Sequence, residues 1–268
     1  MSASSKVPAE SRRPVRFFAL LLSLILAVSL ALPQGSTHAA GDAWASALSG
    51  IESLYDGYTA LETANKIEKL DIQSLRKDSA ERLKAVNAAV KGIDKSKIDR
   101  LAAEAAALKT KHAALIAQYG DLGRQAAEAR KRKDKKNADL LDLKRNKLKP
   151  SVDAAKLEIK SAKEALDGAK KQAAAKAKTV KDALAPVAAL KKQVTAENKT
   201  IAAFNKTRAA SYKRYRASVK AGNAITAAAE ITLMYAQLGK IHASQQKIYG
   251  WEKQISAAIK SAAAKLPA

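Results

Sequence analysis

Residues 98–143 read IDRLAAEAAALKTKHAALIAQYGDLGRQAAEARKRKDKKNADLLDL, and this stretch decides the fold. Ile98, Leu101, Ala105, Leu108, His112, Leu115, Tyr119, Leu122, Ala126 and Ala129 step by three and four residues without a slip. The same frame passes Lys133 and Lys136 and lands on Leu140 and Leu143. A period near 3.5 keeps one narrow apolar stripe on one face of a long helix. Such a stripe predicts a partner helix instead of a broad core.

The surrounding chain repeats the pattern. Trp44, Leu48, Ile51, Tyr55 and Tyr58 keep three-four spacing, which resumes at Leu75, Ser79, Leu83, Val86, Val90 and Ile93. Gly92 is a good residue to end a helix, and Ser96-Lys97-Ile98-Asp99 resembles a capping box that starts the next. The spacing therefore predicts an antiparallel hairpin over residues 40–129, turning near 92–96. Beyond it, Val152, Ala155, Ile159, Ala162, Leu166, Ala169 and Ala173 form a second stripe. Pro150 has no Gly or Asn beside it, so it reads as a kink; a reversal there would stack the helices into a four-helix bundle. Residues 130–203 form a basic Ala/Lys-rich rod, and Pro186 reads as another kink. A straight rod from 97 to 221 would measure about 190 Å. Gly222-Asn223 is a stop and a start, so residues 204–268 form a second hairpin turning near Gly222. Its last helix carries Ile231, Met234, Leu238, Ile241, Ile248, Trp251, Ile255 and Ile259.

The fold class is therefore all-α: long helices in coiled-coil-like antiparallel hairpins, elongated, with no β-sheet. Composition agrees, since Ala, Lys and Leu dominate and aromatics are 4%. No alternating run of Val, Ile or Thr marks a strand.

Lys6, Arg12, Arg13 and Arg16 precede the apolar run Phe17–Leu32, and Thr37-His38-Ala39 places small residues at −3 and −1 of a cut. This is the pattern of a signal peptide, residues 1–39, cleaved between Ala39 and Ala40. It predicts a secreted or extracytoplasmic protein; an uncleaved run would anchor the helices to the outer face of a membrane. Ser11-Arg12-Arg13 also resembles a twin-arginine export signal, from which Pro14-Val15-Arg16 departs.

Net charge is +24. Residues 40–122 carry 12 Lys/Arg and 12 Asp/Glu, whereas residues 123–268 carry 33 and 12. A field of that sign gathers anionic polymers or lipid headgroups. Two groups of cations are candidate polyanion sites. Arg130, Lys131, Arg132 and Lys133 open the most basic turns. Lys206, Lys213, Arg216 and Lys220 share a helical face beside Tyr212, Tyr215 and Val219, an interleaving suited to phosphate polymers; the alternative is that the tyrosines are the hairpin seam and the cations a solvated face.

Catalytic chemistry has no constellation to rest on. There is no cysteine, and His112 sits on the apolar stripe as a seam histidine. No histidine pair has zinc-site spacing, so neither a metal nor a cofactor is expected. Ser74-Leu75-Arg76-Lys77 has the S-x-x-K spacing but lacks its partner motifs. Asp139 and Asp142 lie among cations and read as surface ion pairs. The sequence thus predicts a non-enzymatic envelope spacer or scaffold whose basic half rests on anionic wall polymer or membrane. Two further readings are a regulator of an envelope enzyme such as a wall hydrolase, docked at a hairpin end, and a nucleic-acid binder. Self-association through the heptad seam is a further expectation, and no small-molecule substrate is expected.

Overall fold

A computed structural model describes the backbone of residues 37–267 and the side chains of residues 41–267. The signal-peptide reading, with its Ala39–Ala40 cut, lies outside the residues whose side chains are described. Four helices account for nearly everything: α1 (Thr37–Gly92), α2 (Lys95–Lys131), α3 (Lys135–Lys220) and α4 (Ala224–Ala263). No strand occurs among the described residues. With 86 residues, α3 is about 130 Å long and sets the length of the molecule.

Three helices make the body. The second half of α3, all of α4 and most of α1 pack together, with α4 touching both others and α1 barely touching α3. The core runs as three clusters along this body. Val86, Val180, Val187, Leu190, Ile255 and Ile259 meet at one end; Ile72, Val194 and Ile248 lie in the middle; Leu61, Leu238 and Ile241 lie at the other end. The aliphatic stripe of α4 is spent here, which makes α4 the element most deeply enclosed. Beyond the body, α2 and the first half of α3 pair alone as a two-helix arm.

The path of the chain differs from the expected hairpin at 92–96. Helices α1 and α2 do not pair; α1 pairs with α4 and α2 with α3. Contacts along α3 fix the direction. Tyr58 meets Arg208, Asp94 meets Lys176, His112 meets Glu158 and Arg130 meets Asp142. Residue numbers rise on α1 and α2 as they fall on α3, so α1 and α2 run in tandem, both antiparallel to α3. The physical reason is local. Asp94 is left-handed (φ 52°) and α2 starts at the very next residue, which jogs the axis; at the two reversals the left-handed residue is followed by a further non-helical one, Asp134 (ψ 80°) or Asn223 (ψ 85°). Asp94 accepts from Lys176 Nζ at 2.8 and 3.0 Å, tying the jog to α3. The capping box does not form; Asp99 instead accepts from Lys95 Nζ (2.6 Å).

The reversal lies within residues 131–135, where the sequence predicts continuous helix. Lys133 N–H donates to Arg130 O (3.0 Å) and Asp134 N–H to Ala129 O (3.0 Å), with Lys133 at φ 61°. This is the Schellman motif. Asp134 then caps α3 by accepting from Asn137 N–H (3.1 Å). The turn at Gly222 is its counterpart: Gly222 N–H donates to Val219 O, Asn223 N–H to Ser218 O, and Asn223 caps α4. Lys133 occupies the position that Gly222 fills at the other end. A left-handed conformation costs a residue with a Cβ about 1–2 kcal/mol. Lys133→Gly is therefore expected to stabilise the protein by about 1 kcal/mol, read as a higher urea midpoint at unchanged m.

Pro150 and Pro186 lie inside α3 without ending it. Both face solvent, and buried Val152, Ala155 and Val187 hold the helix on either side. The chain does not reverse at Pro150, and no straight rod runs from 97 to 221.

The two stripes read from sequence, 98–129 and 152–173, do face one another in the arm. Ala126, Ala129, Val152 and Ala155 are almost wholly covered, while the leucines of α2 are only half-buried. Two helices alone can enclose an alanine between them but leave the flank of a leucine wet. Leu140 and Leu143, placed on the stripe by the sequence frame, are 49% and 66% exposed. The turn at 132–134 breaks that frame, and Ala138 takes the seam position. A second correction concerns α1. Trp44, Leu48 and Tyr55 are half exposed, and its covered face runs through Leu61, Asn65 and Ile72.

Candidate functional site

The two candidate cation groups lie at opposite ends of α3. Arg130, Lys131, Arg132 and Lys133 are at the tip of the arm, where α2 turns into α3. Lys206, Lys213, Arg216 and Lys220 are at the far end, beside the turn into α4. The 73 residues from Lys133 to Lys206 span about 110 Å of helix, so the groups cannot form one site.

At the tip, two of the four cations are engaged. Arg130 pairs with Asp142 across the turn, and Lys131 with Glu128 on its own helix (3.0 Å). Arg132 and Lys133 are exposed and have no acidic partner among the described residues, and Lys135 and Lys136 join them. The effective tip cluster is therefore Arg132, Lys133, Lys135 and Lys136. At the base, Lys206, Lys213 and Lys220 recur every seven residues, which lines them up on the outward face of α3. Arg216 sits nearer α1 and donates from Nη1 to the Tyr212 hydroxyl (3.4 Å). Tyr215 is half-buried, whereas Tyr212 and Val219 are exposed, so these three do not form a buried seam.

Other cations are structural clamps. Arg214 reaches Glu230 on α4 with Nε at 2.6 Å and Nη2 at 3.0 Å. Its guanidinium holds the Glu230 carboxyl below the usual carboxylate range. Arg208 ties α3 to Tyr58 and Glu62 of α1 (3.0 and 3.1 Å), and Arg76 ties α1 to Glu252 of α4 (2.7 Å). In the arm, Arg145 lies over the Tyr119 ring, 4.6 Å from its centroid, and His112 bonds Glu158 across the seam (2.9 Å). The charge is thus distributed in space differently from its distribution in sequence. The arm, residues 95–178, holds 23 Lys/Arg and 11 Asp/Glu; the body, with residues 41–94 and 179–268, holds 22 and 13. Both parts are basic, because neutral α1 is packed into the same body as basic α3.

One polar cluster escaped the sequence reading. Asn65 and Glu68 of α1 face His242 and Gln245 of α4. Asn65 Nδ2 donates to Leu238 O (3.1 Å), Gln245 Nε2 to Asn65 O (3.1 Å), and His242 Nδ1 lies 3.0 Å from Asn65 Oδ1 and 3.2 Å from Glu68 Oε2. Burial, with Asp71 nearby, pushes the Glu68 carboxyl up to about 7, and burial pushes His242 down. The signal was there in polar residues at 65 and 68, four and seven positions after Leu61 on a helix that packs there. The cluster joins α1 to α4.

Its consequence is a pH dependence of stability. A carboxyl raised in the folded state stabilises fully below its unfolded value near 4.5 and loses that contribution as pH climbs through about 7. His242 acts oppositely, since its depressed folded value favours the fold above about 6.5. Glu68→Gln removes the first effect alone. It is expected to leave stability at pH 4 nearly unchanged and to raise it at pH 8 by about 1–2 kcal/mol, after allowing for partial exposure and for the nearby ring. Urea titrations across pH 4–8 measure this.

No group of His, Cys, Asp or Glu suited to a metal ion occurs among the described residues. No helix among them is long and apolar enough to cross a membrane, and the run at residues 17–32 lies outside the described residues. No family model, no curated protein and no solved structure matches the chain.

Proposed function

We propose that this chain is a non-catalytic spacer of the cell envelope, exported from the cytoplasm, that holds anionic surfaces apart or together. The observation that carries the reading is the pair of exposed cation clusters at the two ends of one continuous helix, about 110 Å apart. Long-range attraction between exposed charges is screened beyond about 10 Å at 0.1 M salt. Clusters this far apart therefore act independently, and each can engage its own stretch of wall polymer or lipid headgroup. Export is supported by the N-terminal charge, apolar run and small-residue site.

Bridging is the property to test. The protein is expected to cluster phosphatidylglycerol vesicles at low salt and to release them as salt rises. Changing Arg132, Lys133, Lys135 and Lys136 to Gln, or Lys206, Lys213, Arg216 and Lys220 to Gln, should abolish clustering while single-surface binding persists. Each cation beside an anionic surface contributes about 1 kcal/mol, so losing four at one end weakens that end by as much as about 10³-fold. A control with Lys156, Lys163, Lys170 and Lys178 changed to Gln removes as much charge from the middle of α3. Equal loss of clustering from all three variants would mean diffuse charge and would overturn the two-ended spacer.

A further inference from the structure

Trp44, Leu48 and Tyr55 of α1 and Tyr212 and Val219 of α3 are each between 46% and 53% exposed. They form one strip. Trp44 Nε1 donates to Gly222 O (3.1 Å), which sets the start of α1 against the end of α3. Tyr58, one turn beyond Tyr55, accepts from Arg208, and Tyr212 lies one turn beyond Arg208 on α3. Helix α4 covers the other side of both helices, so this face is the open side of the three-helix body. Five half-exposed side chains, three of them aromatic, leave on the order of 400 Å² of apolar surface. That matches the largest apolar patch of a typical monomer, about 300–600 Å² and often functional, and is about half of what one partner gives to a standard interface.

The borders of the strip carry opposite charges. On the α1 side stands Glu52, with Asp42 and Asp56 farther round; on the α3 side stands Arg216. No ion pair joins Glu52 to Arg216 within the chain. Interpolating between the Trp44–Gly222 and Tyr58–Arg208 contacts puts Glu52 level with residue 214, within about a turn of Arg216. A two-fold axis parallel to the helices preserves height and exchanges left for right. It sets the acidic border of each copy against the basic border of the other, with the apolar strips face to face. The alternative axis, across the helices, sets like charges together. An anionic lipid surface matches only one border and meets the carboxylates of the other.

We propose that this chain forms a parallel two-fold dimer through this strip, with Glu52 of each protomer facing Arg216 of the other. The partner is a second copy because the surface is complementary to itself. Lys206, Lys213 and Lys220 point away from the strip and stay available to anionic surfaces. The arms leave the dimer in the same direction.

Sedimentation equilibrium on residues 41–268, which contain every residue of the three core clusters, tests this. Wild type is expected at twice the monomer mass. Leu48→Glu should raise the dissociation constant about 100-fold or more by placing a charge at the centre of the strip. Glu52→Arg and Arg216→Glu should each raise it roughly 10-fold, since each reversal makes two like-charge contacts per dimer. The double reversal should restore it, and circular dichroism should show every variant equally helical. A monomeric wild type at the highest soluble concentration overturns the proposal. If that monomer binds phosphatidylglycerol vesicles with a blue shift of tryptophan emission lost in Leu48→Glu, the strip is a lipid surface instead. A dimer whose double reversal fails to recover would overturn the parallel two-fold arrangement.

Discussion

Ile255→Ala is expected to cost about 3–4 kcal/mol, close to the full effect of deleting a large aliphatic side chain from a packed core. Ile255 is 1% exposed and sits where Val86 of α1, Val180 and Val187 of α3, and Ile259 of α4 converge. All three helices of the body contribute side chains to this cluster. The cavity left there is walled by β-branched side chains with few rotamers, so it cannot readily close. Leu143→Ala is the comparison: it removes a similar side chain that is 66% exposed, and the change should stay within about 0.5 kcal/mol. Urea unfolding followed by circular dichroism measures both. Similar costs for the two would mean that the helices do not converge at Ile255.

The second large effect concerns the clamp between α1 and α4. Glu252 is a carboxylate whose side chain is only 4% exposed, held by Arg76 Nε at 2.7 Å. Arg76→Ala leaves that charge buried without its cation and is expected to cost about 2–3 kcal/mol. The value falls below that of a fully enclosed pair because the Arg76 side chain is itself 46% exposed and screened by water. Removing both charges together, as Arg76→Met with Glu252→Leu, should recover most of the loss, since no buried charge then remains. A double variant as unstable as Arg76→Ala would show that the arginine acts by packing its stem and not through the carboxylate.

Much of the local structure is legible in the residues. The stripes at 98–129 and 152–173 lie on the faces that meet in the arm, and the isoleucines of α4 are the body's core. A stripe of three-four spacing states that a helix has a partner, but not which helix. That is why the pairing of α1 with α4 escaped the reading, although the covered positions from Ser79 to Ile93 did not. The turn at 132–134 was hidden for a different reason. Lys133 stands where a glycine would have been recognised, and its neighbour Asp134 reads as one charge in a basic run. The same motif at Gly222-Asn223 carries its usual residues and is plain in the sequence.

The stripe from Trp44 to Tyr58 has helical spacing, yet its Trp44, Leu48 and Tyr55 are half exposed, because periodicity records which side of a helix is apolar and not whether anything covers it. The cation groups were legible as charge. Which members are free depends on Asp142 and Glu128 at the tip, and only the turn brings Asp142 within reach of Arg130.

Small-angle X-ray scattering from residues 41–268 tests most directly whether the molecule is a spacer. Helix α3 runs its full length, so the maximum dimension should be about 130 Å, with a radius of gyration on the order of 35 Å. A parallel dimer keeps that length. A compact particle with a radius of gyration near the ~17 Å of a globular chain of this size would mean that α2 and the first half of α3 fold back on the body, and would contradict the account.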